Sequence, residues 1–70
     1  MNIAKVVGNN LKSARRIKGY TQKDVANVFH MTQQQYSRFE NGIYELSYQQ
    51  IFDLCKYLNT TPNELFEFDF

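Results

Sequence analysis

The 70-residue chain has one cysteine, one histidine, one proline, three glycines and no tryptophan. A lone cysteine excludes an intrachain disulfide, and one cysteine with one histidine leaves too few ligands for a zinc site. Scarce proline and glycine, with little alternation of apolar and polar residues before the tail, argue against a many-stranded β-protein. No apolar run reaches the length of a membrane span, and no basic segment precedes an apolar leader, which predicts a cytoplasmic protein with no membrane partner. A single His, a single Cys and no pair of isolated acids amount to little catalytic equipment, so no enzyme and no cofactor are expected. There is no repeat or linker, and the one low-complexity stretch is the run Gln33, Gln34, Gln35.

The residues that are present suit a folded domain. At 43% hydrophobic, 16% aromatic and 21% charged, the chain is too apolar for disorder. Seventy residues make one small domain, residues 1–70, which buries only ~60% of the surface its unfolded form exposes. Net charge is only +1, but it is unevenly spread. Lys5, Lys12, Arg15, Arg16, Lys18 and Lys23 face only Asp24 in the first 30 residues. Arg38 and Lys56 stand against Glu40, Glu45, Asp53, Glu64, Glu67 and Asp69 in the rest. A basic half can approach phosphates while an acidic half faces away; the same basic residues would also serve as the solvated face of a first helix.

Helix starts are legible. Thr32-x-x-Gln35, Ser47-x-x-Gln50 and Thr61-x-x-Glu64 are capping boxes, Thr21-x-x-Asp24 is a shorter-armed version, and Pro62 occupies a favoured first helical position. Gly19 and Gly42, and at some cost Asn59, suit the left-handed conformation that ends helices. Five helices are predicted, an all-α fold. Helix 1 covers about Ile3 to Lys18, with Ile3, Val7, Leu11, Ala14 and Ile17 on one face. Helix 2 covers about Gln22 to Phe29 and buries Val25, Ala26 and Phe29. Helix 3 covers about Gln33 to Asn41 and buries Tyr36 and Phe39. Helix 4 covers about Tyr48 to Leu58 and buries Ile51, Leu54, Cys55 and Leu58. Helix 5 is short, about Pro62 to Phe66, and buries Leu65. Met31 and Cys55 read as core residues. Gly8, inside helix 1, costs up to ~1 kcal/mol relative to Ala, and nothing in the local pattern asks for it.

Residues 21–42 read as two short helices joined by a tight turn. On the second, Gln33, Gln34, Ser37, Arg38 and Asn41 fall opposite Tyr36 and Phe39. Gln can bond bidentately to adenine N6 and N7, and Arg to guanine O6 and N7, so this face fits base-edge readout in the major groove of double-stranded DNA. Gln35 reads instead as the arm of the capping box.

Gln22, Ala26, Thr32, Glu40, Asn41 and Gly42 resemble the helix-turn-helix of the lambda repressor and Cro proteins, the XRE family. Leu58 to Phe66 is similar to that family's junction between helices 4 and 5, and the likeness covers about Leu11 to Phe66. The resemblance implies a compact five-helix DNA-binding domain, with helix 3 as recognition helix, that acts as a homodimer on a palindromic operator. It implies base contacts from Gln33 and Gln34, joined by Ser37 and Arg38, and phosphate contacts from Gln22 and Asn41, with added charge from Lys23 and Lys12. It also implies an ion pair between Arg15 and Glu40. Phe66, Phe68 and Phe70 take alternate positions into an extended tail, 67–70, and the resemblance places helix 5 near the two-fold axis, which makes these three the expected dimer interface; the other reading of the same residues is a tail that folds back over helix 1 and caps the monomer core. The implied function is transcriptional regulation, as a repressor, in the cytoplasm and on the nucleoid when DNA is bound, with a protein partner as the route for any regulation. Two other readings stay open: a controller or antitoxin-type regulator of a restriction-modification or toxin operon, and a protein-interaction module that reuses the fold without DNA. The chain departs from the family at His30, where glycine is usual in the turn, and at the loop Ile43 to Ser47, which holds Glu45 and no base.

Overall fold

A computed structural model describes residues 2–68. It contains α1 Ile3–Ile17, α2 Gln22–Val28, α3 Gln33–Glu40, α4 Tyr48–Leu58 and α5 Pro62–Phe66, and no strand among the described residues. The fold is all-α. Each helix opens on a side-chain oxygen that accepts a backbone N–H: Asn2, Thr21, Thr32, Ser47 and Thr61. The short-armed box at Thr21 is complete, with Asp24 returning a bond to the Thr21 N–H at 2.8 Å. The one at Thr61 is only half made, because Glu64 accepts instead from the Thr60 hydroxyl at 3.0 Å.

The first three helices end one residue before the sequence pattern suggests, since Lys18, Phe29 and Asn41 are caps. After each cap comes one left-handed residue: Gly19 at φ 78°, His30 at φ 56° and Gly42 at φ 72°. The N–H of that residue bonds three residues back, Gly19 to Arg16, His30 to Asn27 and Gly42 to Phe39, and the next N–H reaches back five, Tyr20 to Arg15, Met31 to Ala26 and Ile43 to Arg38. This double bond to the last carbonyls satisfies groups a helix end otherwise leaves unpaired. His30 adopts the glycine-type conformation without being glycine, a strained arrangement that the turn enforces.

The core consists of Val7, Leu11, Val25, Ala26, Tyr36, Leu54, Cys55, Leu58 and Leu65. Helix α1 lies against both α3 and α5, α2 lies against α3, and α4 touches α5. Tyr20 stacks on Tyr57 at 5.1 Å, and Phe29 meets Tyr57 edge-on at 5.6 Å, which ties the ends of α1 and α2 to α4. The apolar line expected along α1 runs out at both ends: Ile3 is 57% and Ile17 85% exposed. The buried line is Val7, Gly8, Leu11 and Arg15. A charged residue completes it because Arg15 finds a carboxylate inside the domain.

Gly8 also finds its reason here. A Cβ at residue 8 would overlap the Phe39 carbonyl oxygen and lie 2.5 Å from that of Glu40. Its missing side chain lets α1 rest directly on the C-terminal end of α3. No described helix is long and apolar enough to cross a membrane.

Candidate nucleic-acid interface

Helix α3 sets the site. The Thr32 hydroxyl accepts from the Gln35 N–H at 3.1 Å, and the Gln35 side chain accepts from the Thr32 N–H at 2.9 Å. Gln35 is therefore spent on starting the helix. Gln33 and Gln34 are exposed. They sit on the first turn, with no side-chain hydrogen bond among the described residues. At 3.6 residues per turn, Gln33, Gln34, Ser37, Arg38 and Asn41 share one side. Tyr36 and Glu40, both buried, share the other. Asn41 donates its amide to the Ser37 hydroxyl at 3.2 Å, which joins two residues of the polar side. The Arg38 guanidinium lies 5.4 Å from the centre of the Tyr44 ring, and its Nη1 is 3.4 Å from the Tyr44 hydroxyl.

Behind this helix stands the Arg15–Glu40 pair. Arg15 Nε donates to Glu40 Oε2 at 2.6 Å and Nη2 to Oε1 at 3.1 Å, a two-pronged contact. Arg15 Nη1 also donates to the Tyr20 carbonyl at 2.7 Å. The carboxylate is almost fully enclosed, its side chain 1% exposed. Burial pushes the Glu40 carboxyl up, but hydrogen bonding, first from Arg15, outweighs it and holds the group below the usual carboxylate range. The Tyr36 ring is buried among the same residues, and its hydroxyl makes no hydrogen bond of good geometry within the described residues. Burial first, then the Glu40 carboxylate, pushes the phenol well above its ordinary value, so it stays neutral.

Gln22, the first residue of α2, donates Nε2–H to Glu40 Oε1 at 3.0 Å. A primary amide has two donors, so one N–H can hold Glu40 while the other faces outward beside the free N–H groups of the helix start. Nothing local in the sequence announces this link between residues 18 apart. Lys23 is exposed on the same turn and Lys12 is half-buried on α1. Neither makes an ion pair among the described residues. Arg15, by contrast, spends its charge internally, so any phosphate-facing charge must come from other bases.

At the far end, Phe66 and Phe68 are 38% and 58% exposed. Phe70 lies outside the described residues. Phe66 belongs to the last turn of α5, and Glu67 after it is left-handed at φ 54°. The extended alternation expected from residue 66 onward is therefore interrupted at Glu67. Asn10 holds this corner, donating from Nδ2 to the Leu65 carbonyl and to the Glu67 carboxylate, each at 2.9 Å. Asn10, Gln22 in its link to Glu40, and Tyr44 are site or frame residues that sequence patterning passes over. For Tyr44 a signal exists, an aromatic just after the helix-ending Gly42, but it points to no partner.

The Cys55 thiol is buried, and burial pushes its pKa up, the opposite of activation. A family model described as helix-turn-helix matches residues 11–65. No curated protein and no solved structure matches the chain.

Proposed function

This chain belongs to the helix-turn-helix family of lambda repressor and Cro type, whose members bind DNA to regulate transcription, and from that premise we propose that it represses transcription as a homodimer on a palindromic operator. The observation that carries the base-readout part is the polar side of α3. Two exposed glutamines head the helix, released from capping by Gln35, with Ser37 and Arg38 one turn on and Tyr36 and Glu40 anchoring the opposite side. In this reading Gln33, Gln34, Arg38 and Ser37 meet base edges. Gln22 and Asn41 hold phosphates at two helix ends, with Lys23 and Lys12 adding charge. The chain works in the cytoplasm, on the nucleoid when bound, and has no catalytic role.

Selection of bound sequences from a random DNA pool tests this. A two-fold symmetric consensus is expected, with half-sites one DNA turn, about 34 Å, apart. Alanine at Gln33, Gln34 or Arg38 should each relax one base pair, with ~1–3 kcal/mol of discrimination lost there. Alanine at Gln22 or Asn41 should weaken all sequences alike, because phosphate contacts carry no direct sequence information. A pool that shows no enrichment would favour an interaction module that reuses the fold.

Exposed Phe66 and Phe68 support the dimer half of the proposal, since apolar surface gathered at one end of a small domain marks an interface. The full-length chain with both replaced by serine is expected to stay folded and to sediment as a monomer. A folded double variant that still sediments as a dimer removes these residues from the interface.

A further inference from the structure

We propose that Tyr44 is a specificity-determining positioning residue, which holds the Arg38 guanidinium in place for base readout; this rests on the reading of Arg38 as a base contact. The geometry begins with Gly42. Its φ of 72° turns the chain back at the end of α3, in a space where a Cβ would strike Lys5. The returning segment then bonds to the helix it has just left. The Arg38 carbonyl accepts from both the Ile43 N–H at 2.9 Å and the Tyr44 N–H at 3.3 Å. The backbone of Arg38 thus fixes Tyr44, and the side chain of Tyr44 in turn fixes Arg38.

The ring supplies three contacts. Its face lies 5.4 Å from the guanidinium carbon, a distance at which a cation is attracted to the π face. Its hydroxyl accepts weakly from Arg38 Nη1 at 3.4 Å. Its edge is braced by the Phe39 ring at 6.4 Å and 66°, so the platform is not left to swing in solvent. Arg is a long side chain, and its rotamer entropy opposes holding it in one geometry. A guanidinium already held over a ring gives up less freedom on meeting a guanine, and its other donors make no side-chain hydrogen bond among the described residues. Glu45, next along the loop, makes no ion pair with Arg38 among the described residues. The arginine charge therefore stays available to DNA, where a carboxylate partner would compete for it.

Two variants separate the ring from the fold. Tyr44→Phe keeps the π face and loses the hydroxyl. Tyr44→Leu keeps apolar contact with Phe39 and loses the π face. In the free protein, the Arg38 side-chain protons should show an upfield ring-current shift by NMR in wild type and Tyr44→Phe, and lose it in Tyr44→Leu. On DNA, random-pool selection with Tyr44→Leu should blunt one position of the consensus, the same one that Arg38→Ala blunts. The loss of discrimination there should be roughly two- to fivefold, the size of an exposed cation–π contact, with the other positions unchanged. Absence of the ring-current shift in wild type overturns the proposal whatever the DNA result. So does a consensus that Tyr44→Leu leaves as sharp as wild type, or sharpens, at the Arg38 position. A shift present in the free protein together with no enrichment from the pool locates the failure in the DNA-binding reading, and the specificity role of Tyr44 falls with it.

Discussion

Gly8→Ala is expected to destabilise the domain by about 3 kcal/mol, the upper part of the usual range for overpacking a core. Helix propensity alone predicts the opposite sign, a gain of up to ~1 kcal/mol for Ala inside a helix. The difference lies in what the new methyl meets. It would fall against the backbone carbonyls of Phe39 and Glu40, and these are fixed by the C-terminal cap of α3, so no flexible side chain can swing aside. Helix α1 would have to lift from the end of α3, and with it would go the alignment of Arg15 with Glu40. A loss of this size lowers the melting temperature of a domain this small by roughly 12–24 °C. Gly19→Ala makes the comparison sharp. That site is open, with nothing near an added Cβ, but its φ is 78°, so only the backbone strain is felt, ~1 kcal/mol. Urea denaturation of the two variants should therefore rank Gly8→Ala as the worse by a clear margin. A neutral or stabilised Gly8→Ala would mean that α1 and α3 do not approach as closely as described.

Gly8 also marks the boundary of what sequence can say. Helix starts were legible because a cap is local: an oxygen and an N–H three residues apart are joined wherever the helix goes. Thr32 with Gln35 and Ser47 with Gln50 need no tertiary partner, and both boxes form. Helix faces were legible only where the partner surface is continuous. Along α1 the 3.6-residue period selects Ile3 and Ile17 as readily as Val7 and Leu11, but α1 overhangs its neighbours at both ends. What it buries in their place, Gly8 and Arg15, is set by residues 25 to 32 positions away. The polar side of α3 was legible because Tyr36 fixes the opposite side. The brace from Tyr44 was not, since it depends on how Gly42 turns the loop back. Resemblance supplied the pairing of Arg15 with Glu40, and the two are 2.6 Å apart; composition contains no hint of it. Gln22 shows the reverse case, a residue with one role by resemblance whose amide also holds Glu40.

Breaking the Arg15–Glu40 pair from one side should cost the most of any single polar change, about 3–5 kcal/mol, because the partner keeps its charge in a place water cannot reach. Arg15→Met leaves the Glu40 carboxylate with only the Gln22 amide. Glu40→Gln leaves the guanidinium enclosed with a neutral acceptor. Arg15→Met with Glu40→Leu removes both charges and fills similar volume, so the double variant should be more stable than the sum of the single losses allows. The coupling, measured by urea denaturation, is expected to exceed ~1 kcal/mol, beyond the 0.3–0.5 kcal/mol within which independent sites add. Additive losses would show that the two side chains do not depend on each other. The pH dependence gives a second, independent reading. Glu40 has its folded-state pKa depressed below the ordinary 4.5, so the folded protein binds this proton less readily than the unfolded chain does. Its stabilising contribution is fully present above about pH 4.5, and it is lost as pH falls through the folded value. Asp24, also depressed by its hydrogen bonds to Thr21, adds its own slope in the neighbouring range, its ordinary value being 3.8. The double variant retains the Asp24 share and loses that of Glu40. Stability measured from pH 6 down to pH 2.5 should therefore fall less steeply for the double variant than for wild type. Equal slopes would mean that Glu40 titrates alike folded and unfolded, a result incompatible with a carboxylate clasped at two points by Arg15.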